Sequence, residues 1–263
     1  MHVHAGAEEL GRVYAADLML QAAVGCAARS LEALAAPVAL PWGAWTAAAH
    51  ADYEANFDTN AVEPLDMAEV VKTVSRLAPE DTVFTNGAGN FSGWLHRFHR
   101  YAGLQHHGRS QLAPTSGAMG YGLPAAVAAA LLQPWRTVVN FAGDGDLLMT
   151  GQEMATATGY GARRLVSIVV DNGSYGTIRM HQERDFPARV SGTALTNPDF
   201  VKLAHAYGWA AERVDATAQF EPALQRAIEA GRPTLLHLKL NSDVSNSRTT
   251  LTALRAAALS KRG

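Results

Sequence analysis

Gly143-Asp144-Gly145-Asp146 closes one apolar run of the sequence, and Asp171-Asn172-Gly173-Ser174 closes the next. A carboxylate leaving one strand and a carboxamide leaving another are hard oxygen donors, the kind that Mg²⁺ takes together with water and phosphate oxygens. Glycines beside them let backbone N–H groups approach an anion, and a helix following Asp146 would turn its positive end toward it. Either stretch alone is ordinary turn chemistry. The calcium alternative lacks the alternating ligands and terminal Glu of the twelve-residue EF-hand loop. It is the pairing of the two loops that points to a site for a metal and a phosphate.

The elements that must position these loops alternate. Residues 66–77 space their apolar positions like an amphipathic helix, and the β-branched run at 82–85 ends in Asn86-Gly87-Ala88-Gly89-Asn90. The Gly-rich segment 116–122 precedes an Ala-rich helix at 124–132. A strand at 137–141, a helical stretch at 146–161 and a strand at 164–170 follow. Asn197-Pro198 reads as a helix start, with Pro at the first helical position, and residues 234–240 as a last strand. Such alternation predicts an α/β fold, an open and mostly parallel sheet flanked by helices. Ligands of such sheets lie beyond the carboxyl ends of the strands, where three Gly/Asn/Asp-rich loops gather. The first forty residues read differently: a short strand at 1–4, a mostly helical stretch at 15–34, then a Pro- and Trp-bearing connector. Residues 41–60 read as linker with helical turns, which places a boundary near Asn60. No internal repeat is present. A Rossmann-type nucleotide site would need Gly-x-Gly-x-x-Gly after a first strand, and the sequence lacks it.

Composition narrows the class. The 263 residues are 48% hydrophobic and 17% charged, with a formal net charge of -2 and well-mixed signs. A soluble globular protein is expected, with no basic stripe for nucleic acid or an anionic membrane. Cys26 is the single cysteine, so no disulfide framework or zinc cluster forms within the chain. With no signal-like or spanning segment, a cytoplasmic setting is expected.

Residues 134–176, PWRTVVNFAGDGDLLMTGQEMATATGYGARRLVSIVVDNGSYG, resemble the thiamine-diphosphate fingerprint of the acetolactate synthase, pyruvate oxidase and benzoylformate decarboxylase superfamily. SGAMGYGLPAAVAAALLQP resembles its Gly-x-Met-Gly-x-Gly-Leu-Pro-Ala-Ala segment, and LTNPDFVKLAHAYG its Asn-Pro-Asp-Phe helix. The likeness covers nearly all of residues 60–240 and implies the domain that binds the cofactor's diphosphate, the C-terminal half of such an enzyme. By this resemblance residues 1–40 are a remnant of the middle domain, 41–60 a linker, 61–240 the thiamine diphosphate domain and 241–263 a tail.

The resemblance also implies roles. Asp144, Asn172 and the carbonyl of Ser174 would bind Mg²⁺. Gly143, Gly145, Asp146, Tyr175 and Gly176 would line the diphosphate, with Gly89, Asn90 and Phe91 reaching it from the other side. Gly117 would accept from the aminopyrimidine's amine, and Met119 would bend the cofactor into a V. The chemistry implied is an electron sink on the thiazolium, whose C2 carbanion attacks a 2-keto acid or aldehyde, with loss of CO₂ or addition to an acceptor. An aminopyrimidine-binding domain or chain, carrying the activating Glu, is expected as partner, with homo-oligomeric assembly and no turnover without it. FAD use is left open by these residues, since the segment that would bind it is mostly outside them.

Three departures accompany the likeness. Asp171 stands in place of the first Asn of a pair, which is tolerable only if its carboxylate points away or finds a partner. Asp146 replaces a small residue. Met180-His181 replaces a Gln-Trp pair, which argues against acetolactate synthesis itself. His181, with Gln182, Glu183 and Arg184, is a candidate substrate contact or else a solvated helix face. The alternative function is a non-catalytic assembly module that keeps the fold.

Overall fold

A computed structural model of the chain describes residues 1–57, 64–101 and 110–261. The chain divides into two compact units, Met1–Asn56 and Phe57–Gly263. The boundary expected near Asn60 lies outside the described residues.

In the first unit, β1 (His2–His4) pairs in parallel with β2 (Met19–Gln21). Helices α1 (Val24–Glu32) and α2 (Gly43–Ala55) follow, and neither has a buried residue. The helix expected across 15–34 thus begins only at Val24, because 19–21 are taken by strand pairing with 2–4. The stretch expected as linker carries α2, whose Ala-rich middle has high helix propensity.

The second unit is built on one sheet. Its strands are β3 (Val83–Asn86), β4 (Gln111–Leu112), β5 (Val138–Gly143), β6 (Leu165–Asp171), β7 (Ala210–Val214) and β8 (Thr234–Lys239). Their order is β4-β3-β5-β6-β8-β7, and every pairing is parallel. The open parallel α/β architecture expected from the alternation is therefore the one observed. Strands β5 and β6 are buried at every residue, as strands covered on both faces must be.

Alternate side chains feed two cores. Val139, Phe141, Val166, Ile168, Leu236 and Leu238 pack under α3 (Met67–Leu77), α4 (Ser92–Phe98) and α10 (Thr217–Glu229). Val138, Ala142, Leu165, Val169 and Leu235 face α5 (Gly122–Leu132), α6 (Asp144–Thr150), α7 (Glu153–Tyr160) and α9 (Phe200–Ala206). Helix α3 starts where Asp66 accepts from the N–H groups of Ala68 and Glu69, and it buries Val70, Val71 and Val74. Two helices complete the unit, α8 (Gly176–Asp185) and α11 (Leu251–Ser260). The expected tail thus carries a helix, which docks on α8 through Arg255 and the buried Glu183, Nη2 to Oε1 2.5 Å. Among the described residues no helix is long and apolar enough to cross a membrane.

One polar row crosses the apolar sheet. Thr85 Oγ1 donates to Asn140 Oδ1 (3.0 Å) and lies 3.0 Å from the Gly122 carbonyl, and Asn140 Nδ2 donates to Ser167 Oγ at 2.9 Å. All three side chains are fully buried. The row binds the first residue of α5 to the sheet, so that a Cβ on Gly122 would lie 2.6 Å from Asn140 Oδ1. Replacing Asn140 by Leu leaves the buried Ser167 hydroxyl without its donor and breaks the row, with the Gly122 carbonyl as the one acceptor left to Thr85. We expect a loss of about 2–3 kcal/mol, measurable as a lower urea midpoint; an unchanged midpoint would show that the row carries no stability.

Candidate functional site

Three loops leave the carboxyl ends of the neighbouring strands β3, β5 and β6 and enclose a cavity of about 230 Å³. Residues 88–91 follow β3, Asp144–Asp146 follow β5, and 172–177 follow β6. Gly117 and Met119 enter from the loop before α5, while Leu240, Val244 and Ser245 close the wall from the C-terminal segment. Every residue expected from the sequence to touch cofactor or metal lines this cavity, whereas His181, the candidate substrate contact, does not and is exposed on α8. Its neighbour Met180 faces inward instead, with Sδ 3.4 Å from the Nδ2 atoms of Asn90 and Asn246. Glu183 is not available to a substrate either. It is buried and holds Arg179 Nε (3.0 Å) and Arg255 Nε (2.7 Å), the latter bond being the largest cause of its acidity, shifted down to about 2.

Helix α6 begins at Asp144 itself rather than after Asp146, so both carboxylates lie in its first turn. The Asp144 carboxylate is buried, and its Oδ2 accepts from Gly173 N (2.9 Å) and Asn197 Nδ2 (2.7 Å). Burial is the main reason that its pKa is pushed up to about 6; the Asn197 bond opposes that shift and the negative Asp171 beside it adds to it.

Asp171, the extra carboxylate, does find partners. Oδ2 meets His237 Nε2 at 2.8 Å, and Oδ1 meets Lys239 Nζ at 2.9 Å, Gly173 N at 2.9 Å and Asn197 Nδ2 at 2.9 Å. Burial disfavours its charge, but the bonds from His237 and Lys239 outweigh burial and hold the group well below the usual carboxylate range. Asp144 and Asp171 therefore share two donors, Gly173 N and Asn197 Nδ2, while His237 and Lys239 bond Asp171.

Asn197 was expected to start helix α9. The N-cap is Asp199, whose Oδ1 accepts from Lys202 N at 3.0 Å, and this releases the Asn197 amide for the two carboxylates. Two polar residues at alternate positions of an otherwise apolar strand, His237 and Lys239, must share one face, but only the register, which pairs Lys239 with Asp171, shows what they meet.

Asn172 Oδ1 accepts from both the N–H and the hydroxyl of Ser174, each at 3.2 Å, and its Nδ2 donates to Val244 O at 3.4 Å. Ser174 sits in an antiparallel bridge with Ala194, flanked by Tyr175 N to Thr193 O and Leu195 N to Gly173 O, both 2.9 Å. In such a pair the C=O of Ser174 points away from the partner segment. Among the described hydrogen bonds none engages it. A carboxylate, a carboxamide oxygen and a backbone carbonyl thus line one cavity, a donor set suited to a hard divalent cation.

Asp146 proves to be a clamp. Its buried carboxylate accepts from Gly120 N at 2.7 Å and from the backbone of Ala88. A Cβ on Gly87 would overlap it, so glycine is required there. One side chain therefore ties the loop after β3 to the loop that carries Gly117 and Met119. Ser245 makes a second tie, accepting from Asn90 Nδ2 and donating to Gly176 O, both 3.1 Å. Sequence reasoning missed Ser245, because a short polar stretch far along the chain carries no local signal of where it folds back.

Burial pushes the Asp146 carboxyl up to about 6, against its two backbone donors. A carboxyl raised above its unfolded value of 3.8 contributes stability that is complete below that pH and lost as pH rises through about 6. Asp146→Asn removes this dependence and leaves other titrations, Asp171 included, in both proteins. In metal-free buffer the wild type should lose roughly 2–3 kcal/mol relative to D146N between pH 4 and pH 7, read from urea unfolding at both values. A constant difference would contradict the assignment.

Residues 87–238 match the family described as thiamine pyrophosphate enzyme, C-terminal TPP binding domain. The chain is 35% identical over 181 residues to the acetolactate synthase isozyme 2 large subunit of Escherichia coli (strain K12), a match that covers 65% of this chain and 31% of that protein. It is 31% identical over 208 residues to pyruvate oxidase of Lactiplantibacillus plantarum, covering 74% and 34%. Among solved structures, the thiamine diphosphate-dependent 4-hydroxybenzoylformate decarboxylase of Rhodococcus jostii RHA1 superposes with a TM-score of 0.63 at 31% identity, covering 70% of this chain and 34% of that one. The chain spans about a third of the length of the curated relatives it matches. With its three loops at the ends of a parallel sheet, the chain belongs to the thiamine pyrophosphate enzymes and carries their C-terminal cofactor-binding domain.

Proposed function

We propose that the chain holds the diphosphate of thiamine diphosphate through Mg²⁺, as the C-terminal half of an acetolactate-synthase-like 2-keto acid decarboxylase or carboligase. The observation that carries this is the gathering of Asp144, Asn172 and Ser174 with glycine-bearing loops around one cavity. Asp144 and Asn172 would ligate the cation by side chain and Ser174 by its carbonyl. The Ser174 bonds to Asn172 Oδ1 are long, so a cation can compete for that oxygen. Gly176 and Thr177 open the ten-residue α8 on the cavity wall, where the positive end of a helix favours a phosphate. Gly145 and Tyr175 would line the diphosphate, and Gly89, Asn90 and Phe91 would bound it opposite. Gly117 and Met119 would meet the aminopyrimidine side, held by the Asp146 clamp.

When bound, thiamine diphosphate supplies an electron sink for a 2-keto acid or aldehyde. The residues of this chain anchor and orient one end of it. The other end requires an aminopyrimidine-binding domain or partner chain, within a homo-oligomeric assembly. Residues 1–40 fit the end of a middle domain: two parallel strands and a helix without buried residues need a larger sheet to cover them. A reducing cytoplasm suits the exposed Cys26.

Calorimetric titration of the full chain with thiamine diphosphate and Mg²⁺ should show binding that chelation of the metal abolishes and that Asp144→Ala weakens at least about tenfold. Decarboxylation of 2-keto acids should be absent until an aminopyrimidine-binding chain is added. Indifference to D144A, or robust turnover by the chain alone, would contradict the proposal.

A further inference from the structure

The two adjacent strand ends of the site carry a carboxylate each, and among the described bonds only Asp171 has a cationic partner, Lys239. His237 and Lys239 bond Asp171, whereas the described bonds to Asp144 come from neutral donors. The shortest is from Asn197 Nδ2, at 2.7 Å, and the same nitrogen reaches Asp171 Oδ1 at 2.9 Å. The amide can sit only one way round, because reversing it would set its oxygen against two carboxylates. In that orientation Oδ1 is buried without a hydrogen-bond partner. Leaving an acceptor orphaned is unfavourable, so what retains this side chain is what its nitrogen does. That nitrogen and Gly173 N both meet Asp144 at Oδ2 and fix the rotation of its carboxylate.

We infer that Asn197 is a positioning residue for the metal-binding carboxylate of Asp144, holding it beside the second carboxylate, Asp171, that would otherwise turn it away. The inference rests on the reading of Asp144 as a metal ligand. Asn197 does not line the cavity and acts through Asp144. Its place just before Pro198 stiffens the backbone that presents it. The donor is needed only because Asp171 is charged. An amide at position 171 would no longer repel Asp144, so the requirement for Asn197 should vanish with that charge.

The test is Mn²⁺ binding to the full chain with thiamine diphosphate present, read from the paramagnetic resonance signal of free Mn²⁺ rather than from turnover. Asn197→Ala should weaken Mn²⁺ about 10–100-fold, the range typical of groups that orient a ligand. Adding Asp171→Asn to it should restore binding to within about threefold of wild type, a coupling between contacting residues that a double-mutant cycle measures. Far-UV circular dichroism checks folding, and Asn197→Ser carries the same comparison where N197A does not fold. Loss in D144A with none in N197A would overturn the inference alone. Loss in N197A without recovery in D171N/N197A would make the role merely structural and overturn it too. Equal binding by wild type and D144A would overturn the Asp144 reading and the inference with it.

Discussion

Two carboxylates cannot share the buried end of a sheet unless enough donors meet them, and the ends of β5 and β6 impose that condition on the whole site. Asp144 and Asp171 stand on hydrogen-bonded neighbours whose register pairs Gly143 with Val170. Water solvates neither well, so the protein supplies the donors: His237 and Lys239 from β8, Gly173 from the loop between, Asn197 from the segment before α9. The resulting arrangement is asymmetric. Asp171 is held ionised, while Asp144, shifted to about 6 by burial, is left as the carboxylate that gains most from a cation.

The same logic explains Asp146. A third carboxylate in the first turn of α6 would repel a diphosphate if it faced the ligand with a free charge. Its oxygens instead accept from the backbones of Gly120 and Ala88, and Gly87 lacks the side chain that would exclude them. The residue that departs from the family's pattern thus joins the loop after β3 to the loop before α5. Ser245 adds a tie from the C-terminal segment, and the Glu183–Arg255 pair anchors that segment through α11. Both departures that favoured a non-catalytic module, Asp146 and Asp171, have structural partners and leave the cavity open.

Much of this was legible in the residues. The β-branched runs ending at Asn86, Gly143 and Asp171 announced central parallel strands, and Gly, Asn and Asp at their ends announced loops with close backbone approach. What stayed hidden depends on tertiary pairing. Asn197 looked like a cap because Asn-Pro is a strong local signal, yet Asp199 was the better-placed acceptor and the sheet claimed the amide. His237 sits in an apolar run whose partner strand cannot be known before the topology is. The helix at 251–260 escaped because a short Ala-rich tail is marginal alone and folds here against α8, with Thr250 as its cap. Strand β2 was read as helix because Met and Leu suit both, and pairing with 2–4 decided it.

The central claim is that a divalent cation sits between Asp144 and the loop of Asn172 and Ser174, where it would hold a diphosphate. The most direct measurement is a crystal structure of the full chain grown with thiamine diphosphate and Mn²⁺, with data collected for the anomalous signal of manganese. The account predicts a single strong peak within coordinating distance of an Asp144 carboxylate oxygen, the Asn172 carboxamide oxygen and the Ser174 carbonyl. A peak elsewhere, or cofactor density in the cavity with no cation beside Asp144, would contradict it.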